Sequence, residues 1–203
     1  MIYDDSTMAT PQDETPKLAA PGAGLPGIEL QIARVLFTLR AWTHDRQRID
    51  ALFRQERALI AELVRACPAG RLGERVLIPR PRGLEDSSRH WSVLMTLDHL
   101  RIVNLACAMI IRELSEGRVP AGKASTADVK PGPDVTEAVL AAYEASCDEV
   151  LAAVASAKNL DDPARFPHPW FGPMSARRWH VLAAVHLGLH RKQLESIVRG
   201  LKA

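Results

Sequence analysis

Large aromatic side chains are scarce in this 203-residue sequence: four Phe, four Trp and two Tyr, 5% of the chain. Single-strand nucleic-acid platforms interleave aromatics with basic residues, and no such stretch is present. Charge of one sign is also lacking. Lys and Arg number 26 against 24 Asp and Glu, a formal charge of +2. No steering field toward nucleic acid or an anionic membrane follows from so small a net charge. No window approaches about 18 consecutive apolar residues, the length a membrane-crossing helix requires. The opening residues, Met1-Ile-Tyr-Asp-Asp-Ser, have neither the basic start nor the apolar centre of a signal peptide. Cysteine is limited to Cys67, Cys107 and Cys147, widely spaced and without a CxxC. That pattern argues against a disulfide framework and predicts buried free thiols in a reducing cytosol. The expectation is a cytoplasmic protein with no nucleic-acid partner and no membrane partner.

What is present is helical periodicity. Apolar residues make up 47% of the chain, enough for one domain with a real core. Residues 1–26 carry Pro, Ala, Gly, Asp and Thr without period and are expected to form a disordered tail. Residues 27–203 are expected to form a single domain. In Ile28–Cys67 the residues Ile32, Val35, Leu39, Trp42, Ile49, Phe53, Ile60 and Leu63 recur at about 3.5-residue spacing. Arg46 and Glu56 interrupt the stripe. Forty residues is long for one globular helix. Two arrangements fit: two helices with a bend near Thr43–Arg48, or one helix whose first half projects onto a partner chain. Ala69–His90 reads as a long loop, with Val76-Leu77-Ile78 as a short extended piece. Its Arg71, Arg75, Arg80 and Arg82 are candidates to meet an anionic substrate, although a solvated loop is the favoured account of them. Trp91–Glu116 is a second helical run, capped by Ser92 and followed by Gly117. Asp134-Val-Thr-Glu137 resembles a capping box that would start a third helix. Phe166-Pro-His-Pro-Trp-Phe-Gly-Pro173 reads as a stiff, partly buried loop, and Ser175 caps a last helix. Four long apolar stripes and no convincing strand pairing predict an all-α four-helix bundle with an N-terminal helical extension.

The last helix carries the chemistry. With His186 as the zero of a helical wheel, Trp179, Leu182, Leu189, His190, Gln193, Leu194 and Ile197 fall on its side. Arg177, Arg191, Lys192, Glu195 and Arg199 fall on the other. His186 and His190 lie one turn apart in the middle of the apolar stripe, a spacing that lets two imidazoles ligate one ion. An i,i+4 pair alone is more often the mark of two hydrogen-bonded core histidines. A third ligand on a facing helix separates the readings. His99 shares its face with Met95, Thr96, Ile102, Val103, Ala106 and Ile110, so it too faces inward. Three imidazoles suit Zn, Ni, Fe or Cu and leave a position for water or substrate. His44 and His90 sit near helix ends, His180 lies off the stripe centre, and His168 is within reach of the site.

Trp91-Ser92, His99-Leu100 after six residues, and His186-x-x-x-His190-x-x-Gln193 together resemble the DinB-like (YfiT-like) superfamily of metal-binding four-helix bundles. The Pro-Trp-Phe-Gly-Pro segment resembles an uncharacterised branch of it. The resemblance covers roughly residues 45–200; Ile28–Thr43 and the tail lie outside it. It implies an up-down-down-up bundle, commonly a homodimer, that binds one divalent metal, Zn or Ni foremost, through His99, His186 and His190. It also implies a low-molecular-weight thiol as a possible cofactor, because relatives include thiol-dependent S-transferases. A fold carries over more safely than a reaction.

Three functions are compatible with these residues. The first is a divalent-metal-dependent enzyme, a thiol-dependent S-transferase or a hydrolase on a small molecule. Trp170, Phe171 and Trp179 would wall its pocket and Gln193 would orient a ligand or substrate. No general base is evident, since Glu113 lies about four turns from His99. The second is a non-catalytic metal- or ligand-binding, stress-related bundle. The third is a structural protein whose histidines pack without metal.

Overall fold

The computed structural model describes residues 16–202. Residues 1–15 of the expected tail lie outside them. Residues 16–26 run as irregular chain against the 85–86 loop: Ala19 N donates to Asp86 Oδ2 at 2.9 Å and Gly22 N to Glu85 Oε2 at 3.2 Å.

Two helices occupy the long periodic stretch, α1 (Gly27–Thr43) and α2 (Arg46–Arg65). Asp45 makes the break. Its side chain accepts from Arg48 N at 2.8 Å, which satisfies an orphan amide of a new first turn. α3 (Val93–Ser115) starts as its cap predicts, with Met95 N donating to Ser92 Oγ at 3.1 Å. It ends at Gly117, whose φ of +78° is the left-handed backbone a helix stop uses. α4 (Ala138–Ser156) begins four residues after Asp134. The capping box does not form there: Glu137 already has helical backbone, and the helix is entered through a turn closed by Val139 N to Thr136 O. α5 (Ala176–Lys202) is the longest helix.

Strand pairing, absent from the sequence expectation, occurs twice among the described residues. β1 (Val76–Leu77) pairs antiparallel with β2 (His90–Trp91), and β3 (Phe166–His168) with β4 (Gly172–Met174). Ribbons of two or three residues are too short to show an alternating period. Each takes its register from the tertiary contacts around it.

Inter-helix contacts give the topology. Leu94 N donates to Leu72 O, so α3 starts where α2 ends and runs down. Lys158 and Glu116 meet at 3.6 Å, so α3 and α4 finish at the same end. Arg177 N donates to Leu160 O, and α5 starts there and runs back up. The order is up-down-down-up for α2 to α5. α3 packs on α4 and α5, α2 packs on α5, and Arg57 of α2 reaches Glu144 and Asp148 of α4, each at 2.6 Å. The enclosed core includes Phe53, Ile60, Leu97, Ile111, Val150, Leu187 and Ile197. α3 is long and apolar enough in composition to cross a membrane, but most of that apolar surface is spent inside the bundle. Cys107 and Cys147 are buried free thiols, while Cys67 is only partly covered.

α1 departs from the expectation. Its stripe residues are not core: Val35 is 66% exposed and Trp42 84%, and Phe37 is its one buried residue. Periodicity reports an amphipathic helix, but not what covers its apolar side. α1 lies along α5 and is held at discrete points. Glu29 takes both guanidinium nitrogens of Arg80, at 3.0 and 2.5 Å, and the amide of Gly83 at 2.5 Å. Gly83 has φ +87°, and a Cβ there would meet Leu189 Cδ2 at 3.0 Å, so the close approach requires glycine.

Candidate metal centre

His99 is on the second turn of α3, and His186 and His190 are on successive turns of α5. Their Nε2 atoms converge: His186 Nε2 lies 3.2 Å from His99 Nε2 and 3.1 Å from His190 Nε2. The ring orientations are held from behind. His99 Nδ1 is 2.6 Å from Val129 O, a carbonyl that only accepts, so Nδ1 carries the proton. Gln193 Nε2 donates to Ser88 O at 2.7 Å, which turns its Oε1 toward His190 Nδ1 at 2.6 Å. His190 therefore also carries its proton on Nδ1. Both rings aim unprotonated Nε2 lone pairs at His186.

That arrangement tests whether a metal fits. His186 as a neutral ring can donate one Nε2 proton, to one neighbour only, and the lone pair of the other neighbour is left without a donor. Its Nδ1 is buried without a hydrogen-bond partner among the described residues. A cation at the centre satisfies all three lone pairs at once. Donors about 2.0–2.1 Å from one ion lie about 2.9–3.4 Å apart for coordination angles of about 90–110°. The observed spacings fall in that range, and the three rings form a group that can hold a metal ion. Burial keeps the rings neutral, as ligands must be. It pushes His99 down to about 4 and holds His186 and His190 well below the usual imidazole value, with the neighbouring imidazoles adding to the effect in both. Trp91 packs beside the triad, stacked with His190 at a 6.2 Å centroid distance and tilted against His99 at 5.2 Å.

In front of the triad lies a cavity of about 1180 Å³ bounded by α1, α3, α5, the 121–130 loop and the β3–β4 hairpin. His186 is more open toward it than His99 or His190. Trp170, Phe171 and Trp179 all line it. Phe171 stacks on Phe37 at 4.3 Å and on His168 at 5.0 Å. Trp170 O accepts from Arg34 Nε at 2.7 Å, and Trp179 donates to Phe166 O at 3.4 Å. Gln193 is instead behind His190, fully buried. Burial also pushes His168 down to about 4. His180 lies apart, 3.0 Å from Asp50. Of the four loop arginines, Arg82 lines the cavity, Arg80 pairs with Glu29, Arg71 with Glu74, and Arg75 reaches Pro133 O.

Four contributors to the site escaped the sequence reading. Val129 acts through its carbonyl, which no side-chain pattern reveals. Trp91 was visible only as part of a motif. Glu85 is 4% exposed, lines the cavity and pairs with Lys130 at 2.7 Å. Burial pushes its carboxyl up, but Lys130 and the amide of Gly22 outweigh that and hold it below the usual range. Glu56, which interrupts the α2 stripe, also lines the cavity and pairs with Arg191 at 2.5 Å.

Comparison with known proteins agrees with this geometry. The four-helix bundle protein TT2238 has a solved structure that aligns with a TM-score of 0.53 at 25% identity, covering 73% of this chain and 97% of its own. No curated protein matches the chain. The family model of the DinB superfamily matches residues 52–194, which include the whole triad and Gln193 and leave out α1. The chain belongs to the DinB superfamily.

Proposed function

We propose that this protein is a divalent-metal-dependent enzyme acting on a small molecule, with His99, His186 and His190 as the ligands of Zn or Ni. The observation that carries the reading is the convergence of three buried Nε2 atoms, two with their tautomers set by Val129 O and Gln193, at the floor of an open cavity. A divalent ion there supplies a lowered pKa to a bound thiol or water and polarises a substrate carbonyl. The protein's own residues orient the ligand rings, shield them with Trp91 packed against His99 and His190, and wall the reactant with Trp170, Phe171 and Trp179.

The three glutamates in the cavity wall are each paired: Glu29 with Arg80, Glu56 with Arg191, Glu85 with Lys130. A carboxylate held by a cation is a poor proton acceptor. That favours a reaction needing little proton transfer, such as S-transfer from a low-molecular-weight thiol, over a hydrolysis that needs a general base. The same pairing supports a second reading, a non-catalytic metal- or ligand-binding stress-related bundle. The proposal includes a cytoplasmic homodimer with no nucleic-acid or membrane partner. The exposed α1 residues Val35, Leu39 and Trp42, which do not line the cavity and are spaced four and three residues apart, support the dimer as a helix-pairing seam.

The test is elemental mass spectrometry on untagged protein, wild type beside His186→Ala. Near-stoichiometric metal in the wild type and its loss in the variant are expected. No metal in either, after reloading with zinc or nickel, overturns the reading. A water-exchange or thiol-binding signal on the bound ion then separates the enzyme from the closed binding protein.

A further inference from the structure

We infer that α1 converts the space in front of the triad into a chamber for the apolar body of an elongated, hydrocarbon-chain small molecule. This deepens the proposed function and depends on it only for the head of that molecule, which would sit at the triad. The body is read from the walls alone.

The walls are apolar on opposing sides. Ile32, Leu36 and Phe37 of α1 face Val103 and Met109 of α3 and Leu189 of α5 across one cavity. Several remain wet: Ile32 is 55%, Leu36 60% and Met109 47% exposed. Apolar side chains turned into a cleft from opposite walls gain the most when an apolar molecule displaces the water between them. The carboxylates of the glutamates in the wall are neutralised, Glu29 by Arg80, Glu56 by Arg191 and Glu85 by Lys130, which leaves Arg40, Arg82, Lys123, Asp128 and Lys192 as the other charged groups of a predominantly apolar lining. The volume, about 1180 Å³, accommodates a drug-sized molecule. The occupant is a small molecule rather than a second protein, because the cavity lies between elements of one chain and its floor is the triad. The wall that defines the body's site, α1, lies outside the segment shared with the family. The preference therefore does not follow from the family match.

The experiment uses the full chain in two arms. In the metal-free arm, n-alkanols from butanol to decanol displace a bound anilinonaphthalene sulfonate dye. Affinity is expected to rise about fourfold per methylene, the value for transfer of a buried CH₂. Leu36→Asp changes an exposed wall residue, and Ala106→Phe fills the chamber from α3. Each is expected to flatten the slope and weaken decanol at least tenfold. Leu105→Asp, at an exposed apolar residue of α3 outside the cavity, leaves the slope unchanged. In the zinc-loaded arm, alkyl hydroxamates of the same lengths keep the slope and add a constant gain from the head.

Affinity independent of chain length, or a slope equal in wild type, Leu36→Asp and Ala106→Phe, overturns the inference. A slope in the metal-free arm with no gain from the hydroxamate head leaves the apolar chamber standing and removes the metal reading instead.

Discussion

The two walls of the cavity are built by opposite means. On the α3–α5 side, His99 and His190 are buried, their Nδ1 atoms are occupied, and Gln193 is itself tied to Ser88 O. Those two rings each have one orientation. On the α1 side a single residue, Phe37, is buried, and the helix is held by the Glu29–Arg80–Gly83 clasp, the Arg34–Trp170 bond and one stacked ring pair. Coordination demands donors fixed to within a fraction of an ångström, and only a packed, hydrogen-bonded interior supplies that. Enclosing an apolar body demands area rather than precision, and a strapped-on helix is sufficient. The rigid wall falls inside the family match and the strapped wall outside it.

The largest way to probe this contrast is acid. Burial lowers His99 to about 4 in the folded chain, against about 6.5 when exposed. A buried neutral histidine favours folding while the unfolded ring is also neutral. Stability of the metal-free protein is therefore full above about pH 6.5 and falls as pH drops toward about 4, because the unfolded chain then binds the extra proton. For His99 alone this amounts to about 3 kcal/mol, and His186 and His190 act in the same direction. The urea midpoint as a function of pH measures it. His99→Gln should shrink the acid loss, and a pH-independent midpoint would show that the rings are not held neutral.

A smaller effect is expected at Gln193→Leu. This removes the acceptor of His190 Nδ1 and the donor to Ser88 O while preserving bulk. Metal affinity should fall about ten- to a hundredfold, as for other lost partners of a ligating histidine. Competition with a chromophoric chelator reads it. Unchanged affinity would mean that packing against Trp91 alone orients the ring.

The smallest effect is expected on the other wall. Glu29→Gln breaks the ion pair with Arg80, partly exposed on both sides, and should reduce global stability by no more than about 1 kcal/mol. Amide exchange in Gly27–Thr43 should accelerate while that of α3 and α5 and the metal affinity stay as they were. A change in metal affinity would mean the two walls are coupled, and the contrast would fail.

Much of the rigid wall was legible in the sequence. The α5 stripe placed His186, His190 and Gln193 on one face, and the α3 stripe turned His99 inward, because helical period converts spacing directly into direction. Gln193 was read as a ligand-orienting residue facing the substrate, whereas it works from behind His190. A wheel gives the face of a side chain but not which partner its amide finds. The break at Asp45 was open to two readings because cap residues also occur inside helices. The exposure of Val35 and Trp42 was illegible, since their spacing is that of a core stripe. The β1–β2 and β3–β4 pairs were too short to signal.

The sequence by itself determined four long helical stretches, their apolar faces, and the inward aim of three histidines, since these follow from local backbone geometry and the period of 3.6 residues. Tertiary structure alone decided that the three Nε2 atoms meet, that Val129 O sets the tautomer of His99, that Glu56 and Glu85 find cations far along the chain, and that α1 walls a cavity instead of joining the core. Those outcomes depend on contacts between residues tens of positions apart, and no local rule carries the distance between them.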